Sequence, residues 1–184
     1  FTTGVMGKAD EHWIYVFLSG LNHSGENMQA LLDKRDTSLS VPIHMADAST
    51  MNNLAELKVI AARCLAHGTR KFIELADNFP EDCEVVLEAL SQVYEHDAKT
   101  KAEQLTPQQR LVYHQQHSQP IMLKLQGYLN LQLAEHNVEP NSALGQAFNY
   151  LLKHWEGLTA FLRYPGAPLD NNCLEAVLKI PIRS

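Results

Sequence analysis

The sequence predicts an α/β fold, an open sheet with helices on its faces, interrupted by a long all-helical stretch. Two observations carry this. Short runs rich in β-branched and aromatic residues alternate with helical spacing through the first third of the chain. From residue 78 to about 140 the spacing is helical almost without interruption.

His12–Leu18 (HWIYVFL) has the composition of a buried strand and is followed by a turn at Ser19-Gly20. Ser24 is positioned to cap a helix over roughly 25–36, with Met28, Leu31 and Leu32 on one face. Val41–Ala46 is a short apolar run ending at Asp47, and Lys58–Ala62 reads as another strand. A helix through Phe72, Ile73 and Ala76 follows it. Asn78-Phe79-Pro80 opens a further helix, with proline in its first turn. Thr106-Pro107 and Ser118-Gln119-Pro120 read as two more starts, the second introducing residues 121–136. Pro140-Asn141-Ser142 begins a long helix to about Tyr164, which Pro165-Gly166-Ala167-Pro168 ends. A last helix is expected over 171–179.

The 184 residues suit one domain, or one domain with an insertion, and are enough to bury a substantial core. With 45% hydrophobic and 20% charged residues, disorder of the whole chain is excluded. No run approaches the ~18 apolar residues of a membrane span, and no signal-peptide pattern is present. Cys64, Cys83 and Cys173 read as reduced thiols of a cytoplasmic protein. The net charge of −6 argues at first sight against a protein that grips DNA phosphates. That acidity is local: residues 74–103 hold nine acidic side chains against Lys99 and Lys101, and the rest of the chain is one charge positive. A solvated helix face is the simplest account of the acidic window.

Three segments could carry chemistry. Asp47 follows an apolar strand, where a carboxylate could hold a divalent cation or simply cap the next turn. In Leu169–Glu175 (LDNNCLE), Asp170 or Asn171 can cap a helix whose first turn holds Glu175, either as an ordinary cap or as a carboxylate aimed from the helix end. Cys64-x-x-His67 could be half of a zinc site, but no second pair has matching spacing, and a buried thiol beside a hydrogen-bonded histidine is the simpler reading. There is no nucleophile elbow and no glycine-rich phosphate loop.

Taken together, PIHMADA (42–48), RCLAHGTRKF (63–72) and LDNNCLE (169–175) resemble, in that order, the catalytic region of insertion-sequence-66 family transposases. Gly25-Glu26-Asn27, Glu139–Gly145 and His154–Thr159 extend the likeness over nearly the whole chain. The resemblance implies a truncated ribonuclease-H-like mixed sheet over 1–77, a large all-helical insertion over 78–140, and C-terminal helices over 141–184 that complete the core and bring the catalytic glutamate. It implies an Asp-Asp-Glu triad holding Mg2+ or Mn2+ in a two-metal site, for metal-dependent cleavage and transfer of DNA strands at transposon ends. Asp47 corresponds to the second aspartate and Glu175 to the glutamate, both catalytic and metal-binding, while the first aspartate is expected on an upstream strand. Asp170, Asn171 and Asn172 would support the site, Arg70 and Lys71 are candidate phosphate contacts, and Cys64 and His67 belong to the core or the site edge. The implied partners are transposon-end and target DNA, a second copy of the protein, and accessory transposition proteins, with no membrane.

Two departures stand out. Glu175 is followed by Ala176 where the family usually has arginine, and a later Arg-Lys-Asn signature would begin just past Ser184. Because two carboxylates without the upstream aspartate would hold metal poorly, the chain by itself is expected to be weakly active or inactive, as a catalytic-domain fragment. A degenerate transposase remnant or a non-catalytic helical interaction module is the alternative.

Overall fold

A computed structural model describes residues 2–9, 12–46 and 58–172, and the chain divides into two compact units, Phe1–Ala61 with Asn171–Ser184, and Ala62–Asp170. In the first unit, β1 (Thr2–Ala9) pairs antiparallel with β2 (His12–Ser19), with Val5 opposite Val16 and Lys8 opposite Trp13. β1 has few strand-forming side chains of its own, and its pairing with β2 was not legible in composition. β2 forms where its β-branched and aromatic residues predict, but it is not buried: Trp13, Ile14, Tyr15 and Phe17 are all substantially exposed. The helix α1 (Ser24–Leu32) packs on β1. Ser24 is its first helical residue rather than its cap; His23 holds the cap position and donates its amide to Glu26 Oε2 at 2.8 Å. The helix stops at Leu32, short of the expected end. β3 (Ile43–Ala46) pairs with β4 (Ile60–Arg63), and the Ile60 amide donates to the Pro42 carbonyl at 2.9 Å. The described residues thus form two separate two-stranded sheets, in a mixed α/β chain that is mostly helical.

The second unit is helical. α2 (Leu65–Leu75), α3 (Pro80–Ala102), α4 (Pro107–Ala134) and α5 (Ala143–Lys153) pack on one another around Leu65, Phe72, Val86, Leu90, Leu129 and Phe148. Pro80 sits in the first turn of α3. Thr106 caps α4 by accepting from the Gln109 amide, while its own amide donates to the Gln109 side chain, so two otherwise orphaned donors are satisfied. α3 and α4 form an antiparallel hairpin pinned near both ends. Tyr128 donates to Asp82 at 2.5 Å, and Arg110 donates to Asp97 at 2.6 Å.

Two expectations fail here. Ser118-Gln119-Pro120 does not start a helix, because α4 runs straight through Pro120. The Ser118 hydroxyl is turned inward to two histidines rather than to backbone amides, so packing outweighs the local cap signal. The long helix after Ser142 is broken instead into α5, a short α6 (Trp155–Leu158) and a 3-10 turn over Ala160–Leu162. Ser142 caps α5 by accepting from Gly145, as the sequence suggested. The termination at Pro165–Pro168 holds: Gly166 has φ +83, a conformation that side chains with a Cβ rarely adopt. Asn172 enters a helix, and the remainder of the expected 171–179 helix lies outside the described residues.

Candidate functional site

The first backbone N–H groups of an α-helix have no partner within it. At α2 one of them finds a partner from the far end of the helical unit: the Leu65 amide donates to the Leu169 carbonyl at 2.9 Å. Leu65 and Leu169 are both buried, as is Ala167, so the carbonyl is held by apolar anchors on either side of Pro168. The bond places Asp170 near Cys64, which is itself buried at the cap position of α2. Tyr94, from α3, reaches the same point. Its phenol is pushed well above the ordinary value, first by burial and then by the carboxylate of Asp170 and the thiol of Cys64. The hydroxyl is shut off from water and makes no hydrogen bond. Two segments far apart in sequence, 63–72 and 169–170, therefore meet beside a side chain from the helical hairpin.

The segment that enters this junction, 63–72, also carries cations. The Arg63 side chain crosses Gly157 so closely that a Cβ there would stand 2.7 Å from its Cγ, and its Nη1 is buried without a hydrogen bond. His154 titrates below the ordinary imidazole value, through burial first and then the charges of Arg63 and Lys153. Arg70 and Lys71 are exposed on α2, and Lys71 Nζ sits 4.7 Å over the Tyr150 ring. Such a contact orients the ammonium while leaving it open to an anion. His67 is half-buried one turn into α2. Among the described residues no three His, Cys, Asp or Glu side chains gather as a metal site, so Cys64 and His67 are not completed into a zinc centre there. Cys64 and Cys83 are buried and not joined in a disulfide; Cys173 lies outside the described residues.

Of the expected site-support residues, Asp170 and Asn171 are half-buried, with Asn171 Oδ1 lacking a hydrogen bond, and Asn172 is exposed. Asp47 and Glu175 lie outside the described residues.

A second polar cluster was hidden in the acidic run. Asp97 is only 3% exposed, so the solvated-face reading of residues 74–103 fails at this position. Its carboxylate is met by Lys101 and Arg110, each at 2.6 Å. His114 Nε2 stands 3.4 Å away, within ion-pair range but out of line for a hydrogen bond. Burial alone would raise the Asp97 carboxyl, but His114, Lys101 and Arg110 outweigh it and hold it well below the usual range. Ser118 Oγ lies 2.9 Å from His114 Nδ1 and 3.1 Å from His96 Nδ1. Serine, histidine and aspartate thus stand in a row, but Ser118 is wholly buried and no substrate can reach it; the row is a polar clamp between α3 and α4. The i, i+4 pairs Asp97/Lys101 and His114/Ser118 were visible signals, but nothing local showed that they face inward.

Residues 5–183 match the family profile described as Transposase IS66 family. Two proteins of Sinorhizobium fredii (strain NBRC 101917 / NGR234) are similar to the chain. Uncharacterized protein y4jD is 34% identical over 120 residues, covering 64% of this chain and 22% of its own length. Uncharacterized protein y4hP is 29% identical over 129 residues, covering 64% and 23%. The chain therefore spans less than a quarter of the length of these curated relatives. No solved structure matches it.

Proposed function

The chain belongs to the IS66 family of transposases, and from that premise we propose that it forms most of a catalytic domain for metal-dependent DNA strand cleavage and transfer at transposon ends. The observation that supports this reading is the junction at Leu65 and Leu169, where two of the three family-like segments meet. In this reading Asp47 and Glu175 are the catalytic and metal-binding carboxylates. Their hard oxygen donors suit Mg2+ or Mn2+, which when bound would stabilise charge on the attacking and leaving oxygens of a phosphodiester. Asp170, Asn171 and Asn172 shape the approach to Glu175. Arg70 and Lys71 meet DNA phosphates from the exposed face of α2, a role that suits guanidinium and ammonium groups. Residues 78–140, which include α3 and α4, form the helical insertion of a ribonuclease-H-like core. Transposon-end and target DNA are the partners, with self-association and accessory transposition proteins in the whole enzyme, acting in the cytoplasm. Among the described residues no helix is long and apolar enough to cross a membrane.

A catalytically silent remnant is the second reading, and Ala176 in the place of the family's usual arginine favours it. Nicking of supercoiled plasmid by the whole parent protein in Mn2+ separates the two. The catalytic reading expects nicking that falls on the order of a thousandfold in Asp47→Ala and in Glu175→Gln, with DNA binding kept. It also expects residues 1–184 alone to nick weakly or not at all. A folded parent protein without metal-dependent nicking would establish the remnant.

A further inference from the structure

We propose that the seam between α2, α5 and α6 is a binding edge for the phosphate backbone of DNA, in which Arg63, braced against Gly157, joins Lys71. The inference rests on the reading of DNA as the partner given above, and not on the catalytic carboxylates.

The seam is cationic by segregation. Residues 62–72 hold Arg63, Arg70 and Lys71 and no acid, and α5 holds Lys153 and no acid, in a chain whose net charge is −6. The carboxylates that form ion pairs in the helical unit, Asp97 and Glu103, lie instead on α3 and at its end. Among the described residues no carboxylate pairs with Arg63, Arg70, Lys71 or Lys153.

Packing sets these charges in a row. α2 comes close to α5 at Gly68, where a Cβ would stand 2.8 Å from Leu151 Cδ2. One turn later Lys71 Nζ lies 4.7 Å over the Tyr150 ring, which meets the His154 ring edge-on at 4.9 Å between centroids. His154 opens the turn that holds Gly157, and the Arg63 stem crosses that glycine, with Cγ 2.7 Å and Cδ 3.2 Å from where a Cβ would stand. Lys71, Tyr150, His154 and Arg63 thus follow one another along the seam. Arg63 is partly withdrawn from water, and its Nη1 is buried and donates to nothing. A charge so held without a counter-ion is unfavourable, and an anion at its exposed side offsets that. Cations spaced in a row, rather than closed around one point, suit a polyanion whose charges repeat.

Binding of the full chain to a DNA duplex of about 20 base pairs and arbitrary sequence, followed by fluorescence anisotropy in EDTA over a range of KCl, tests this. Lys71→Gln is expected to weaken binding roughly fivefold at low salt and to lower the slope of log K against log[KCl] by about 1, as the loss of one phosphate contact does. Arg63→Gln should do the same, and the double variant should lower the slope by about 2. Gly157→Ala removes no charge but displaces the Arg63 stem, and should weaken binding as Arg63→Gln does. Lys99→Gln should leave affinity and slope unchanged, since that ammonium already lies over Tyr113 and beside Glu103. Lys71 is exposed, so its variant decides the matter even where a change at Arg63 or Gly157 unfolds the chain. A duplex that the chain does not bind, a slope unmoved by Lys71→Gln, or an equal loss in Lys99→Gln overturns the proposal. A parent protein that binds DNA through the seam and does not nick it in Mn2+ overturns the catalytic reading alone.

Discussion

The helical unit and the N-terminal hairpin use similar side chains to opposite effect. Between Ala62 and Asp170, Phe72, Leu90, Leu129 and Phe148 are withdrawn from water completely. In β2, Trp13, Ile14, Tyr15 and Phe17 each keep 44–56% of their surface. Hydrophobicity is not what separates them. Four helices offer each other complementary ridges, and a side chain such as Phe148 meets aromatic neighbours on two of them, Phe72 at 6.0 Å and Tyr128 at 6.2 Å between ring centroids. A two-stranded hairpin is marginal by itself, and among the described residues α1 is the helix that packs on it. Stability therefore resides in the helices, and the aromatic face of β2 adds little to it.

Phe148→Ala tests that contrast most severely. It should lower the unfolding free energy by about 3–5 kcal/mol in urea titrations, and a loss under about 1 kcal/mol would erase the distinction between the regions. Asp97→Asn should cost less, about 1.5–3 kcal/mol, since Arg110 and Lys101 are partly exposed and regain water when their partner loses its charge. Its pH dependence sharpens the point. The folded Asp97 carboxyl lies below its unfolded value, so its stabilisation is fully present above about pH 4 and is lost as pH falls from there through the folded pKa. The gap between wild type and Asp97→Asn should stay constant from neutral pH to about pH 5, then close in acid; a gap that widened in acid would mean the pair is not formed. Trp13→Ser should shift unfolding by no more than about 0.5 kcal/mol. A larger loss would show that the hairpin carries part of the core.

The same division governs what could be read from the sequence. Features set by neighbours along the chain were legible: Pro80 opening α3, Thr106 capping α4, Ser142 capping α5 and Gly166 ending the helical stretch. Features set across space were not. Ser118-Gln119-Pro120 has the letters of a helix start, yet His96 and His114 claim the serine oxygen and the helix continues. Asp97 looks like any other acid in its run until Arg110 arrives from the next helix. β1 owes its existence to register with β2, which no single window displays. The candidate site divides likewise. Motif order pointed to the segments around Cys64 and Asp170, but their meeting, and the arrival of Tyr94 between them, belong to tertiary structure.

The hydrogen bond from Leu65 to Leu169 also makes the helical unit a lariat. Its entry and exit lie one hydrogen bond apart, so everything between them is a closed excursion of the chain. The entropy of closing such a loop grows only slowly with its length. Helices in the middle of the excursion can lengthen, shorten or be exchanged while the two ends stay where they are. The hydrogen bond at its neck, not the size of the loop, sets the distance its two ends keep.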